Sequence, residues 1–317
     1  MPDDPMSRLR HLVHDEPQPA SWRALQQLLE ELEPGLLPVA RSYAEQHLTR
    51  WPDVERDIVG IARPRPQSWP LGRLLDLSQS RLTDPEALLE LLDCDDLEHF
   101  TILELSQNRL SAEEFAAILQ RPWRELRQVF ASSNPFGPEL GLALMEVDGL
   151  ARLTDLALDR VRLTNDGLRV LVRNPLLAHL ESVDLSDNRL SDAGGVALAQ
   201  SPHLAGLRRL SIKFSRLTAL TMEAMCRSGM LGRLEVLLLR ACQLDDDALA
   251  LMARSPHVAA LRILDLGYNE GIGAAGLRAL RESPHARLEV LYLDHCALDE
   301  EALEIAGEMP RRVRVVT

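Results

Sequence analysis

The sequence predicts an α/β solenoid in which short parallel strands line one face and helices the other. Three observations support this prediction. An eleven-residue pattern, seen for example from Leu180 to Leu190, recurs nine times. Its copies follow one another at steps of 28, 26 and then six times 27 residues, and a fixed period of this size is typical of solenoids. Positions 4, 6 and 11 of the pattern are apolar in every copy.

The first residues of the nine copies fix the register used below. They are Gly72, Phe100, Leu126, Leu153, Leu180, Leu207, Leu234, Leu261 and Leu288. The second half of repeat eight contains one extra residue, which a shorter return segment offsets.

Residues 1–66 do not carry the pattern, and we expect them to form a helical cap over the exposed end of the solenoid. Apolar spacing predicts helices over 21–32, with Ser21 as N-cap, over 36–48 and over 53–61. Trp22, Tyr43 and Trp51 should pack this block against the first repeat. A ligand-binding role for the block is the alternative. Residues 67–317 are then the solenoid of nine ~27-residue repeats.

Each repeat is predicted to contain a strand and a helix. Positions 3 to 7 alternate between polar and apolar, as in a half-buried strand. Position 12 can serve as a helix N-cap in every copy, and Thr83–Glu86 and Ser111–Glu114 have the spacing of capping boxes. Position 12 is occupied by Thr83, Ser111, Gly137, Thr164, Ser191, Thr218, Asp245, Gly273 and Asp299. In the third repeat, Pro138 suits the first helical position. Beyond the last repeat, alternating Val313 and Val315 predict a short capping strand.

The pattern resembles the leucine-rich repeat, and its ~27-residue period and helical second half are similar to the ribonuclease-inhibitor-like class. The resemblance covers about residues 70–317, and the N-terminal block is loosely similar to helical segments of bacterial leucine-rich repeat proteins. It implies a horseshoe with a concave parallel β-sheet, convex helices and position 9 facing inward to bond the backbone between turns. Asn108, Asn134, Asn188 and Asn269 match that role; Cys242, Cys296, Ser80 and Ser215 are partial substitutes, and Val161 does not match.

Composition narrows the class of partner. The net charge of −13 argues against a nucleic-acid ligand, which needs a basic surface, and against docking on anionic membrane. The start at Met1 lacks the apolar run of a signal peptide, and no apolar run of the ~20 residues that span a bilayer occurs. Cys242 and Cys296 occupy position 9 two repeats apart, about 10 Å by strand spacing, which is too far for a disulfide. We therefore expect a cytoplasmic monomer with reduced thiols.

The candidate binding residues come from positions 5, 7 and 8, which the core does not constrain. Repeats one and two present small polar and acidic residues there, whereas repeats six to nine present aromatic and cationic ones. Exposed aromatic and arginine side chains are favoured in interface hot spots. The predicted partner-binding residues are Lys213, Phe214, Leu238, Arg240, Tyr268, Tyr292, Asp294 and His295. Solvated strand faces carrying scattered aromatics are the alternative.

Three other patterns are open to a functional and to a structural interpretation. Arginines recur at position 10, either as a docking strip for acidic groups or as a solvated column neutralised by nearby aspartates. They are Arg81, Arg109, Arg162, Arg189 and Arg216, and the nearby acids are Asp84, Asp159, Asp166, Asp187 and Asp192. His203, His257 and His285 share a Ser-Pro-His turn, and we expect a turn feature and not a metal site. Cys296 beside His295 suggests a thiol nucleophile, but an inward position predicts an inert thiol.

The sequence therefore predicts a non-catalytic scaffold that binds an unknown protein partner on its concave face, with no cofactor, no metal, no nucleic acid and no membrane. The alternative is a regulator or inhibitor of a partner enzyme, similar in mode to ribonuclease inhibitor or to leucine-rich activators of small GTPases. Arg160 or Arg240 would then complete the partner's site as an arginine finger. An enzyme in its own right is the third possibility, and no catalytic motif supports it.

Overall fold

The strands of every repeat join one parallel sheet. The computed structural model describes residues 4–59, 67–79, 97–148, 152–310 and 313–317. Within these ranges the sheet has eleven strands, and they pair in chain order from β1 to β11. They are β1 Asp57–Val59, β2 Leu74–Asp76, β3 Ile102–Glu104, β4 Gln128–Phe130, β5 Asp155–Ala157, β6 Ser182–Asp184, β7 Arg209–Ser211, β8 Val236–Leu238, β9 Ile263–Asp265, β10 Val290–Tyr292 and β11 Arg314–Val316.

The helices lie on the opposite side of the core from the strands' solvated face. Within the described residues they are α1 Pro5–His14, α2 Pro19–Glu31, α3 Leu37–His47, α4 Ala112–Leu119, α5 Leu140–Ala143, α6 Thr164–Leu171, α7 Asp192–Ala199, α8 Ala219–Arg227, α9 Asp246–Arg254, α10 Ala274–Arg281 and α11 Glu300–Gly307. Successive repeat helices pack side by side. The α/β leucine-rich repeat solenoid predicted from the sequence is therefore confirmed, and β11 confirms the final strand.

The core is built from the three apolar columns of the repeat. At positions 4, 6 and 11 every described residue is buried except Leu298, which is half-buried at the C-terminal end. Leu82, at position 11 of the first repeat, lies outside the described residues. Because burial alternates along each strand, positions 5 and 7 point to the other face of the sheet. The columns thus determine which side chains are available for binding.

Several N-caps are as predicted and others are not. Ser111 and Glu114 form the predicted capping box, and six of the eight described position-12 residues directly precede a helix: Ser111, Ser191, Thr218, Asp245, Gly273 and Asp299. The predictions for Gly137 and Pro138 are wrong, because the short helix α5 begins only at Leu140, and Thr164 is itself the first residue of α6. The box predicted at Thr83–Glu86 lies outside the described residues, as do Ser80, Arg81, Asp84 and Cys94.

At position 9, buried asparagines link adjacent turns, whereas the prediction that Ser215 substitutes for one is wrong, because its buried hydroxyl has no hydrogen-bond partner among the described residues. Asn188 accepts hydrogen bonds from the backbone N–H groups of Val161 and Leu163 and donates to the carbonyls of Leu158 and Leu185, at 2.6 to 3.2 Å. Each such asparagine satisfies four buried backbone groups of two adjacent turns, which would otherwise be costly. Asn134 and Asn269 do the same. Cys242 reproduces part of the role by donating its thiol to the Ile212 carbonyl at 3.1 Å.

The N-terminal block is joined to the sheet more closely than the sequence suggested. The helix predicted over 53–61 is wrong: a single 3-10 turn, Asp53–Glu55, leads into strand β1, which pairs with β2. The buried side chain of Arg56 donates to the carbonyl of Leu71, 2.8 Å from its Nε. Trp22 is fully buried and donates to the carbonyl of Asp57 at 2.6 Å.

Two further details of this block differ from the prediction. The prediction contained no helix that corresponds to α1. Asp4 caps this helix by accepting a hydrogen bond from the backbone N–H of Ser7 at 3.0 Å. Ser21 is not an N-cap, because α2 begins two residues earlier at Pro19. A proline is tolerated at the first helical position because its missing N–H is not needed there. Helix α3, by contrast, closely matches its predicted range.

Candidate functional site

The predicted binding residues occupy the solvated face of strands β7 to β10 and the turns that follow them. Leu238, Asp265 and Tyr292 are position-5 neighbours in the register of β8, β9 and β10. Position 8 adopts a left-handed backbone in all nine repeats, with φ between 50° and 63°. Glycine or asparagine tolerates this conformation best. Phe214, Tyr268 and His295 occupy this position in three repeats, and the left-handed backbone does not explain why aromatic residues occur there.

Arg240 is the centre of an ion-pair network that crosses three repeats. Its Nε lies 3.1 Å from Asp265 Oδ2, and its Nη2 lies 2.8 Å from Asp294 Oδ1. The second oxygen of Asp294 accepts from Nη1, so the pairing is bidentate. These hydrogen bonds from Arg240 lower the pKa of the Asp294 carboxyl and raise the pKa of the guanidinium. Two carboxylates thus hold the arginine in one orientation.

Gly267 makes this network possible, and its role was not predicted. It occupies position 7 between Arg240 and Asp294, which occupy the same position one repeat before and one after. A Cβ placed on Gly267 would lie 2.9 Å from Asp294 Oδ1 and 3.0 Å from Arg240 Cζ. Both distances are shorter than normal van der Waals contact. The missing side chain is therefore the space through which Arg240 reaches Asp294.

An aromatic stack lies beside the network. The Arg240 guanidinium carbon lies 5.3 Å from the centre of the Tyr268 ring, within the range of a cation–π contact. The Tyr268 and His295 rings are stacked, with centroids 4.3 Å apart and an angle of 27°. Tyr268 is 47% exposed, and His295 is also exposed. The stack thus presents an accessible aromatic surface beside an arginine that two carboxylates bind.

The structure brings together some predicted residues and separates others. Arg240, Tyr268, Asp294 and His295 form one contacting group, which we call the aromatic–arginine cluster. The half-buried Leu238 and Tyr292 are its position-5 neighbours, on either side of Asp265. Phe214 instead lines a recess at the edge of the sheet. Lys213 forms no ion pair with the described residues.

Position 7 is not uniformly solvated, contrary to expectation. Ser186 is only 4% exposed, because its hydroxyl lies 2.8 Å from the Ser211 hydroxyl and accepts from the backbone N–H of Lys213. Small side chains at this position are therefore partly enclosed by the next repeat, whereas long ones such as Arg240 extend over the surface.

Acidic residues at position 5 have a structural role in several repeats. At position 5 a carboxylate accepts a hydrogen bond from the backbone N–H two residues later: Asp76 from Ser78, Glu104 from Ser106, Asp184 from Ser186, and Asp265 from Gly267, at 2.7 to 3.0 Å. Burial raises the pKa of Glu104 in spite of this bond. These acids stabilise the turn after each strand. The prediction also missed Phe130, a half-buried position-5 aromatic in repeat three, so aromatics are not confined to the C-terminal half.

The described position-10 arginines do not form the ion pairs with nearby aspartates that the structural interpretation predicted. Arg109, Arg162, Arg189 and Arg216 are exposed, and none has an ion pair or side-chain hydrogen bond with the described residues. The proposed neutralising acids mostly have other partners. Asp159 pairs with Arg160 at 3.0 Å, Asp166 with Arg169 at 2.8 Å, and Asp192 accepts from Thr218 and Thr221.

The residues considered for metal binding or nucleophilic chemistry show no reactive arrangement. In the ranges that the structure describes, no group of three or more histidine, cysteine or acidic side chains lies close enough to hold a metal ion. The three described cysteines are unpaired. Burial raises the pKa of the Cys296 thiol and raises that of Cys242 to about 12. A raised pKa disfavours the thiolate, which is the nucleophilic form.

Comparison with known proteins supports the repeat assignment. A family model described as Leucine Rich repeat matches residues 177–199 and 260–280. The two matched segments fall in repeats five and eight of the nine-fold pattern and support the leucine-rich repeat fold that the single parallel sheet shows. No curated protein matches the chain. Among the described residues, no helix is long and apolar enough to cross a bilayer.

The solved structures that match the chain include the two that follow. A chain of the crystal structure of a TLR13–ssRNA13 complex is 18% identical, with a TM-score of 0.48, and the match covers 78% of this chain and 36% of that one. A chain of the Rad7–Elc1 complex from yeast is 14% identical, with a TM-score of 0.46, and the match covers 94% and 91%. This chain thus spans about a third of the first of these proteins.

Proposed function

We propose that the chain is a non-catalytic interaction scaffold and that a protein partner binds the concave face of repeats six to nine. The observation that supports this most is the aromatic–arginine cluster. Tyr268 and His295 are exposed, yet the stack and the double ion pair of Arg240 hold them in place. Side chains that are already ordered lose little conformational entropy on binding, so more of the contact energy contributes to affinity.

The chemistry of this face suits a partner with an apolar and hydrogen-bonding surface more than a highly charged one. Arg240 carries one positive charge, and its two carboxylate partners more than compensate it. Tyr268, Tyr292 and Leu238 supply apolar area, and the tyrosine hydroxyls can bond polar groups of the partner. Repeats seven to nine place these side chains across about 10 Å at a strand spacing of ~4.8 Å, which fits the centre of a standard interface.

Regulation of a partner enzyme is the second candidate function, and the ion pairs of Arg240 and Arg160 decide which of the two arginines suits it better. Arg240 is occupied by two carboxylates, so it is a poor arginine finger without rearrangement. Arg160 pairs only with the adjacent Asp159, and its side chain is 58% exposed. We therefore assign any such role to Arg160. We also propose the ribonuclease-inhibitor-like class, which the 27-residue step and the eight- or nine-residue helices of repeats six to nine support, and a bacterial type with a cytoplasmic location.

Site-specific photo-crosslinking tests this proposal. A photoreactive phenylalanine analogue is placed at Leu238 or Tyr292 on the concave face, with Leu220 and Leu303 on exposed helix positions as matched controls. We expect the concave positions to capture one protein from a lysate of the source cells and the helix positions not to. Capture of the same protein from Leu220 and Leu303 alone would move the site to the convex side.

A further inference from the structure

The row of arginines at position 10 is the strongest unexplained feature of the surface. Arg162, Arg189 and Arg216 occupy this position in three consecutive repeats, and all three are exposed. None has an ion pair or side-chain hydrogen bond within the described part of the chain. Arg162 and Arg189 also have left-handed backbones, with φ of 61° and 55°, a conformation that glycine or asparagine would adopt at lower cost. Neither a salt bridge nor the fold accounts for arginine there.

A recess beside this row adds an aromatic group. Arg189, Arg216 and Phe214 line it together with Asn165 and Asp187. Phe214 is 55% exposed in spite of its apolar ring. Asn165 is already bonded to Ser191, through the Ser191 backbone N–H and hydroxyl. Asp187 is a carboxylate in the recess, but two arginines outnumber it, so the local charge is positive. Exposed aromatic and unpaired guanidinium groups in one recess are typical of a recognition site.

From this arrangement we propose that the row formed by Arg162, Arg189 and Arg216, which we call the arginine rim, binds an acidic helical segment of a protein. The charges are complementary, since a guanidinium binds a carboxylate in bidentate fashion. The spacing also fits. Adjacent strands lie about 4.8 Å apart, and a helix rises about 5.4 Å per turn. A helix with one acidic residue per turn, lying across the repeats, therefore offers one carboxylate to each arginine.

The recess around Phe214 indicates which residue the acidic helix should have between its acidic turns. Phe214 lies next to Arg189 and Arg216, so an apolar side chain between two acidic turns would cover its ring. A nucleic acid is the less favoured ligand, because a net charge of −13 repels a polyanion whose charge is denser than that of a peptide. The arginine rim is distinct from the aromatic–arginine cluster, so this inference and the proposed function can fail separately.

The test uses the full chain and a synthetic peptide. The probe is a fluorescein-labelled, helix-forming peptide of about 16 residues with glutamate once per turn and one leucine between the central turns. Its control has glutamine in place of every glutamate. Fluorescence anisotropy is measured at low and at physiological salt, because charge-driven binding weakens as ionic strength rises. We expect the glutamate peptide to bind and the glutamine peptide to bind at least about tenfold more weakly.

Two variants with the same net charge locate the site. The first changes Arg162, Arg189 and Arg216 to glutamine. The second changes Arg124, Arg152 and Arg208 to glutamine; these are exposed arginines that have glutamate partners. Each variant moves the formal net charge from −13 to −16. We expect the first to weaken binding at least about tenfold and the second to change it less than about twofold.

The remaining outcomes are also decisive. Phe214→Ala should weaken the glutamate peptide several-fold, because the central leucine loses its contact surface. A Leu238→Ala, Tyr292→Ala variant, which alters only the concave face, should bind it as the unaltered chain does. Equal loss in both arginine variants would show a general charge effect and overturn the proposal. Binding of a single-stranded RNA of about 20 nucleotides that depends on the arginine rim, with no binding of the peptide, would assign the rim to nucleic acid instead.

Discussion

The Arg240–Asp294 pair predicts a measurable coupling energy. Arg240→Met removes the bond to Asp265 at 3.1 Å and the bidentate pair with Asp294. A fully buried charged hydrogen bond contributes about 1.5–3 kcal/mol, but these two side chains are 23% and 25% exposed, so solvent screens them. We expect Arg240→Met to lower the free energy of unfolding by about 2 kcal/mol and Asp294→Asn by about 1 kcal/mol, with a coupling of about 1 kcal/mol.

A double-mutant cycle measured by urea denaturation gives this coupling. The pair Arg208–Glu235 is the matched control, since it also joins two different repeats but is 60% and 50% exposed. Its coupling should be below about 0.5 kcal/mol. Arg240 lowers the pKa of Asp294, so the stabilisation is present above the ordinary value of 3.8 and is lost as the pH falls through the lower folded-state pKa. Equal couplings for the two pairs at neutral pH would refute the inference that the network is rigid.

The other predictions concern the acids, the core and the cap. Burial raises the pKa of Glu104 above its ordinary value of 4.5, so ionisation of this carboxyl lowers the free energy of unfolding as the pH rises past that value. Glu104→Gln should therefore raise the melting temperature at pH 7 but not at pH 4. The same effect at both pH values would contradict this. Leu185→Asp should cost several kcal/mol in urea denaturation and the exposed Arg209→Asp less than about 0.5 kcal/mol, whereas equal costs would mean a wrong register. Removing residues 1–66 deletes β1 and uncovers the edge of β2, so light scattering should detect aggregation; a stable monomer of 67–317 would reject the cap.

The repeat period predicted the sheet because the apolar residues at positions 4, 6 and 11 must be buried, and this fixes which face of each strand packs against the core. Leu75, Leu185 and Leu264 are buried as their column requires. The same reasoning failed where no repeat exists. Residues 57–59 form a strand because the edge of β2 offers them hydrogen bonds, which is a tertiary effect that helical spacing of apolar residues cannot show.

The sequence predicted which side chains lie on this face of the sheet, but not which of them contact one another. Arg240, Tyr268 and Asp294 lie on the face of the sheet that their positions predicted, although Ser186 and Ser211 on the same face are buried. That Arg240 reaches Asp294 depends on the missing side chain of Gly267 between them, and only the three-dimensional structure shows this. Phe214 is separated from Tyr268 because both occupy position 8 and the repeat between them has Ala241 there.

The central claim is that a protein partner binds the concave face of repeats six to nine, and calorimetric titration of the captured partner tests it most directly. Tyr268→Ala and Tyr292→Ala are compared with Leu220→Ala and Leu303→Ala, two exposed apolar residues on the helices. Each tyrosine truncation should weaken binding by about 2 kcal/mol or more, roughly 30-fold, with little change in folding stability. The leucine variants should bind as the unaltered chain does. Unchanged affinity of the folded tyrosine variants would contradict the claim.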